Sequence, residues 1–102
     1  MKLTHLDELT TKAKNDFYIV VASTAKCTVC QHTKGMLARM TADTPLSFDE
    51  IDIDEVPAFR GEHLVFTVPT VLIFSQGKEI YRSSRFIEYG QIDKLVKRFL
   101  DK

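Results

Sequence analysis

Apolar residues follow two different patterns along the chain. Residues 17–23, FYIVVAS, form a continuous apolar, β-rich run without alternation, which is typical of a strand that is buried on both faces. The C-terminal segment instead repeats its apolar residues at i, i+3, i+4, i+7 and i+8, namely Ile92, Leu95, Val96, Phe99 and Leu100. This spacing predicts an amphipathic helix with one core-facing stripe.

The N-terminal segment also has helical periodicity. Residues 3–14 place leucines at helical spacing, and Thr4 with Asp7 resembles a capping box. We therefore expect a first helix here. The pattern leaves open a short strand at the extreme N-terminus.

The middle of the chain predicts the remaining elements. They are a helix over about 30–41, a strand over 46–54, a short helix that begins at Pro57 and ends at Gly61, and a β-hairpin over 66–83 with its turn at Gly77. The aromatic side chains, including Phe66 and Phe86, are expected to pack inside the protein and not to form a binding face.

The order of these elements predicts the architecture. An alternating helix–strand half implies parallel crossovers, and the hairpin adds two antiparallel strands. The expected fold is α/β, with a mixed central β-sheet flanked by helices on both faces. At 102 residues the chain fits one domain, residues 1–102.

Charge and composition narrow the range of functions. Fourteen basic residues balance fourteen acidic ones, so neither nucleic acid nor a membrane is expected as a partner. The N-terminus lacks the apolar stretch of a secretory signal, and we expect a reducing, cytoplasmic location. In that compartment a pair of cysteines two residues apart is more often catalytic or metal-binding than a structural staple.

The only two cysteines are Cys27 and Cys30, in the segment CTVC. They lie where the buried strand ends and a helix begins, and unpaired N–H groups at a helix start favour thiolate over thiol. We expect Cys27 to be the nucleophile and Cys30 the resolving cysteine. Two alternatives stay open. One is a metal site completed by histidines, and the other is a pair of thiols that do little chemistry.

Two motifs together carry a family resemblance. CTVC, followed about 40 residues later by TVPT and then by a terminal amphipathic helix, resembles the thioredoxin family over nearly the whole chain. The resemblance implies a thioredoxin-like fold and a cis Pro69 beside the cysteines. It also implies that the backbone of Val68 docks substrates.

The activity implied by the resemblance is that of a small thiol–disulfide oxidoreductase. It would act on disulfide-containing proteins, in electron transport and cell redox homeostasis, without a metal or organic cofactor. A reductase or a small thiol would recycle it. The alternative is an accessory or binding module of the same fold with little redox turnover.

The sequence also departs from the family pattern near the cysteines. The chain has no Trp, and Lys26 precedes the pair. Val21 stands where thioredoxins usually bury an Asp, and Glu50 matches the Lys that commonly partners it. Ser84 or Arg85 falls where the family usually has a glycine at the active-site rim. Lys26 and His32 are candidates for tuning the thiolate, and Arg85 for charging the docking groove.

Overall fold

The computed structural model describes residues 1–101. It contains a mixed five-stranded sheet with strand order β1-β3-β2-β4-β5. The elements in chain order are β1 Lys2–Leu3, α1 Leu6–Lys12, β2 Tyr18–Ser23, α2 Thr28–Thr41, β3 Phe48–Asp52, α3 Ala58–His63, β4 Thr70–Ser75, β5 Lys78–Ser84 and α4 Tyr89–Leu100.

Strand β2 lies at the centre of the sheet, and all six of its residues are buried. It pairs in parallel with β3 and antiparallel with β4, while β1 joins β3 in parallel and β5 joins β4 antiparallel. The continuous apolar run therefore marks a strand that is covered on both faces, as predicted.

Helices cover the two faces of the sheet and build a separate apolar cluster on each. Leu9 of α1 and Phe59 of α3 belong to one cluster, whereas Leu37 of α2 and Ile92 of α4 belong to the other. The predicted α/β architecture, with a mixed sheet flanked by helices on both faces, is thus confirmed.

The N-terminal helix differs from its prediction in extent and in its cap. The chain first forms the two-residue strand β1, and α1 runs only from Leu6 to Lys12. The cap is not formed by Thr4 and Asp7. Instead, the carboxylate of Glu8 accepts hydrogen bonds from the backbone N–H groups of Thr4 and His5, each at 3.0 Å, and these bonds hold the pKa of Glu8 below its ordinary value.

Two further predictions were wrong. Gly61 does not end α3 but lies within it, and the helix ends at His63, followed by the C-cap residue Leu64 in the left-handed conformation with φ +53°. Phe66 and Phe86 are not packed inside, since 67% and 90% of their surfaces are exposed. The hairpin turn is formed as predicted at Gly77, whose φ is +86°.

His63, at the end of α3, packs its ring against two phenylalanines. Its ring lies against Phe59 at 5.0 Å and edge-on to Phe74 at 5.6 Å between ring centroids. The buried Nε2 atom has no hydrogen-bond partner among residues 1–101. This desolvation holds the pKa of His63 below its ordinary value of 6.5, because burial disfavours the charged imidazolium.

We expect the free energy of unfolding to fall as the pH drops below about 6.5, because the unfolded chain then binds a proton that the folded His63 resists. The nearby carboxylates of Glu62 and Glu79 oppose this effect, and Arg82 reinforces it. Urea unfolding of wild type and His63→Phe between pH 5 and 8 would measure it. The difference in free energy between the two proteins should shift in favour of the variant at low pH. His32→Gln, which replaces an exposed histidine, is the control and should show no such shift. A difference between wild type and His63→Phe that does not change with pH would contradict the lowered pKa of His63.

Candidate active site

The cysteine pair is positioned by the start of α2. This helix begins at Thr28, two residues earlier than predicted, so that Cys27 is its N-cap and Cys30 lies in its first turn. The Cys27 sulfur accepts a hydrogen bond of 3.1 Å from the backbone N–H of Cys30. The sulfur thus takes the place of the side-chain oxygen that usually satisfies this group.

Cys27 and Cys30 are joined by a disulfide, with their Cα atoms 5.2 Å apart. The two sulfurs differ in accessibility, since Cys30 is fully buried while Cys27 is partly exposed. An incoming group can therefore reach the pair only from the side of Cys27. No cluster of three or more potential metal ligands occurs among residues 1–101.

Pro69 lies at the same end of the sheet as the cysteines. In the antiparallel register Ala22 of β2 faces Thr70 of β4, so Pro69 comes beside Ser23, where β2 ends. The Val68–Pro69 peptide bond is cis, which is the geometry that the family resemblance implies. Pro69 is buried and Val68 is half-buried.

The backbone of Val68 is unpaired in the structure. Its N–H and carbonyl groups have no hydrogen-bond partner within the described residues 1–101. Buried or half-buried backbone groups are normally paired, so Val68 is an exception beside the cis peptide.

The two candidate tuning residues occupy different environments. Lys26 is exposed and directly precedes Cys27. His32 is also exposed and lies edge-on against Tyr89 at 6.1 Å. Two helical positions correspond to about 200° of rotation, so His32 faces away from Cys30. Lys26 therefore stays a neighbour of Cys27 along the chain, whereas His32 is directed away from Cys30.

The contact between α2 and α4 was not foreseen from the sequence. The hydroxyls of Thr33 and Tyr89 are 3.0 Å apart, and Thr33 also donates to the carbonyl of Val29. Thr33 is fully buried. These bonds hold the first turn of α2 against the start of α4, and so they support the position of the cysteines.

Beneath the cysteines the sheet is apolar at position 21, where the family that the chain resembles usually has a buried Asp. Val21 is fully buried among Ile19, Leu37 and Val71. Glu50 lies opposite Val21 on β3.

Glu50 forms an ion pair with Lys34 of α2, with 3.2 Å between the carboxylate oxygen and Nζ. Both side chains are mostly buried, with 28% and 17% of their surfaces exposed. Lys34 follows Cys30 by one helical turn, and residues at i and i+4 share a helix face. The pair therefore links Lys34, on the same face of α2 as Cys30, to the strand next to β2, and no motif in the sequence indicates it.

The outer rim of this site is formed where β5 ends. The backbone N–H of Arg85 donates to the carbonyl of Pro69 at 2.9 Å, which fixes Arg85 next to the cis peptide. Arg85 has φ +63°, a conformation that costs a non-glycine residue roughly 1–2 kcal/mol.

A mixed sheet covered by helices on both faces, with a two-cysteine disulfide at the start of the helix that follows its central strand, defines a protein of the thioredoxin fold. A solved structure of a mutant thioredoxin from Halobacterium salinarum superposes with a TM-score of 0.84 over 96% of this chain and 88% of that one. At 20% identity this likeness speaks for the fold alone.

The amino-acid sequence shows the family to which the chain belongs. The chain belongs to the Thioredoxin family, whose model matches residues 3–99. The thioredoxin-like protein YdfQ of Bacillus subtilis is 31% identical over 86 residues, which are 83% of this chain and 77% of that protein. A thioredoxin of Chlamydia trachomatis is 27% identical over 73 residues, 71% of this chain and 72% of the other.

Proposed function

We propose that the protein is a thiol–disulfide oxidoreductase that exchanges electrons with disulfide-containing proteins. One observation carries this proposal. Cys27 and Cys30 form a disulfide at a helix start in which only Cys27 is accessible. Membership in the Thioredoxin family, whose characteristic activity is thiol–disulfide exchange, supports it.

In the reducing direction the reaction begins with the thiolate of Cys27. It attacks one sulfur of the substrate disulfide, that S–S bond breaks, and the first substrate thiolate leaves and takes up a proton. The helix start favours the reactive form, since its free N–H groups and its dipole stabilise a negative charge at the cap position.

The second step releases the substrate. Cys30 loses its proton and attacks the sulfur of Cys27, the mixed disulfide breaks, and the second substrate thiolate leaves. Two electrons have then moved from the chain to the substrate, and the Cys27–Cys30 disulfide has formed. A reductase or a small thiol restores the dithiol. Val68 and Pro69 dock the substrate in this scheme, with the free N–H and carbonyl of Val68 pairing with an extended segment.

The experiment that tests the proposal is catalysis of reduction. A peptide disulfide that fluoresces when reduced is mixed with dithiothreitol, with and without the protein, at pH 7. We expect micromolar protein to raise the rate well above that of dithiothreitol alone. Protein alkylated at the accessible Cys27 is the control and should add nothing. No acceleration by the unmodified protein, with Cys27 accessible to alkylation after reduction, would instead support the accessory module.

A further inference from the structure

Two cations stand at the mouth of the site without ionic partners. Lys26 directly precedes Cys27, and Arg85 is bonded through its backbone to Pro69. Both residues are exposed. Neither forms an ion pair among residues 1–101, where seven such pairs occur elsewhere. We call Lys26 and Arg85 the cationic rim.

Three acidic residues lie at or just after the end of β3, and each already has partners within the chain. Asp54 and Glu55 follow β3 and are paired with Arg60 and Lys2. Asp52 is buried, and its carboxylate accepts hydrogen bonds from the backbone N–H groups of Asp54 and Glu55.

Farther along the chain, the carboxylate of Glu88 accepts a hydrogen bond from Tyr81 at 3.0 Å. Lys26 and Arg85 therefore add positive charge at the cysteines and the cis peptide that no ion pair within residues 1–101 offsets, although the whole chain has a net charge of zero.

The backbone of Arg85 indicates that this side chain is not there for stability. At φ +63° a glycine would avoid the clash of Cβ that arginine incurs, and glycine is the residue that the family usually has at this rim. A bulky side chain held in an unfavourable conformation beside a reactive site points to a role in function.

Exposed apolar side chains accompany the two cations. Phe86 follows Arg85 and is 90% exposed, Phe66 lies three residues before Pro69 and is 67% exposed, and Val29 lies between the cysteines and is 55% exposed. Aromatic surface and cations in combination suit a peptide segment that carries both apolar and acidic side chains.

On the basis of the proposed function, we propose that the cationic rim selects substrate disulfides whose cysteine is flanked by acidic residues in an extended segment. The segment pairs with the free backbone of Val68, and its acidic side chains lie against Lys26 and Arg85. The electron balance is that of the reaction above: the dithiol of the protein becomes a disulfide, the substrate disulfide becomes two thiols, and an added dithiol supplies the electrons for the next cycle.

The test compares three peptide disulfides that differ only in the residues next to the cysteine, which are Glu, Gln or Lys. The value of kcat/KM is measured for each with dithiothreitol as reductant. At low ionic strength we expect the Glu peptide to be preferred over the Lys peptide by about 10-fold, and the ratio to approach one near 1 M salt, because exposed charges are screened.

Variants separate the contribution of the cationic rim to the Glu-to-Lys ratio from that of the N-terminus of α2, whose dipole would itself favour acidic flanks. Arg85→Gly and Lys26→Gln should each reduce the Glu-to-Lys ratio by about 2- to 5-fold. Arg85→Asn, which also tolerates a positive φ, should behave as Arg85→Gly does. Lys14→Gln is the matched control, since Lys14 is exposed and precedes β2 at the opposite end of the sheet, and it should leave the ratio unchanged.

The outcomes distinguish the two proposals. If the wild type reduces none of the peptides, the proposed function fails. If it reduces all three with a ratio near one, or if the ratio survives in both Arg85 variants, the proposed function stands and the selective role of the cationic rim is overturned. Thermal unfolding of each variant confirms that the folded protein is being compared.

Discussion

A Cys30→Ser protein is expected to stop after the first step and to hold its substrate as a mixed disulfide on Cys27. Cys30 lies in the first turn of α2 and is fully buried, so it is held next to the sulfur that it must attack. Such an oriented group has a high effective concentration. Steady-state turnover with millimolar reductant should therefore fall by at least about 100-fold, since release then depends on an external thiol. Mass spectrometry of the trapped adduct measures the first effect, and the peptide assay measures the second.

The control for this prediction is Cys27→Ser. Serine is a preferred N-cap residue, so α2 should still be capped, but this protein should trap nothing because its remaining thiol is buried. Cys30→Ala accompanies the serine variant to exclude an effect of a buried hydroxyl. Adduct formation through Cys30 in the Cys27→Ser protein would show that the roles of the two cysteines have been assigned the wrong way round.

The second large effect is expected at Val21. This side chain is fully buried in an apolar cluster below the site, so no carboxylate at that position can take the proton from Cys30 when it attacks. We expect resolution of the mixed disulfide by the wild type to be slow near pH 7 and to accelerate as the pH rises. Val21→Asp should accelerate this step by about 10-fold at pH 7, a modest part of the roughly 100- to 10,000-fold that a well-positioned base typically contributes. Stopped-flow measurement of the second thiol release gives the rate.

The same substitution should weaken the fold. A carboxyl at a fully buried position has its pKa raised by desolvation, which suits a base that works near neutrality. The loss of apolar burial and the polar group itself should lower the free energy of unfolding by roughly 2–4 kcal/mol. Urea unfolding measures this cost.

Val21→Asn is the matched control, because it has nearly the same shape but cannot accept the proton as a carboxylate does. It should be destabilised without being accelerated. Equal rates in wild type and in a folded Val21→Asp protein, with no pH dependence in the wild type, would mean that another group already accepts the proton. Glu50 is then the first candidate, since it lies next to Val21 on the adjacent strand β3 and forms an ion pair with Lys34. Glu50→Gln would test it.

Much of the fold could be predicted from local patterns. The run at residues 17–23 and the spacing in the last helix follow directly from burial on two faces or on one, and both elements appear where expected. Strand β1 could not be predicted from its local pattern, because it has only two residues and is formed by pairing with β3, which is distant in sequence. The end of α3 was missed because Leu64, not Gly61, adopts the left-handed conformation, against the usual preference for glycine.

The candidate site was predictable only in part for a similar reason. The cysteines could be found because their spacing and their place at a strand end are local signals, and Pro69 could be found through the family motif. The Lys34–Glu50 pair and the Thr33–Tyr89 contact join residues that are 16 and 56 positions apart. Such partners are set by tertiary packing, and no periodicity in the sequence records them.

Because the two sulfurs differ in burial, alkylation of the buried Cys30 can report local opening of the first turn of α2. Both cysteines of the chain lie in the first turn of α2 or at its cap, so a thiol reagent has no background elsewhere. In a Cys27→Ser protein the single remaining thiol can be alkylated only when this turn detaches from the sheet. The rate of that alkylation, set against the rate for a free thiol, therefore gives the free energy of the local fluctuation without unfolding the whole domain.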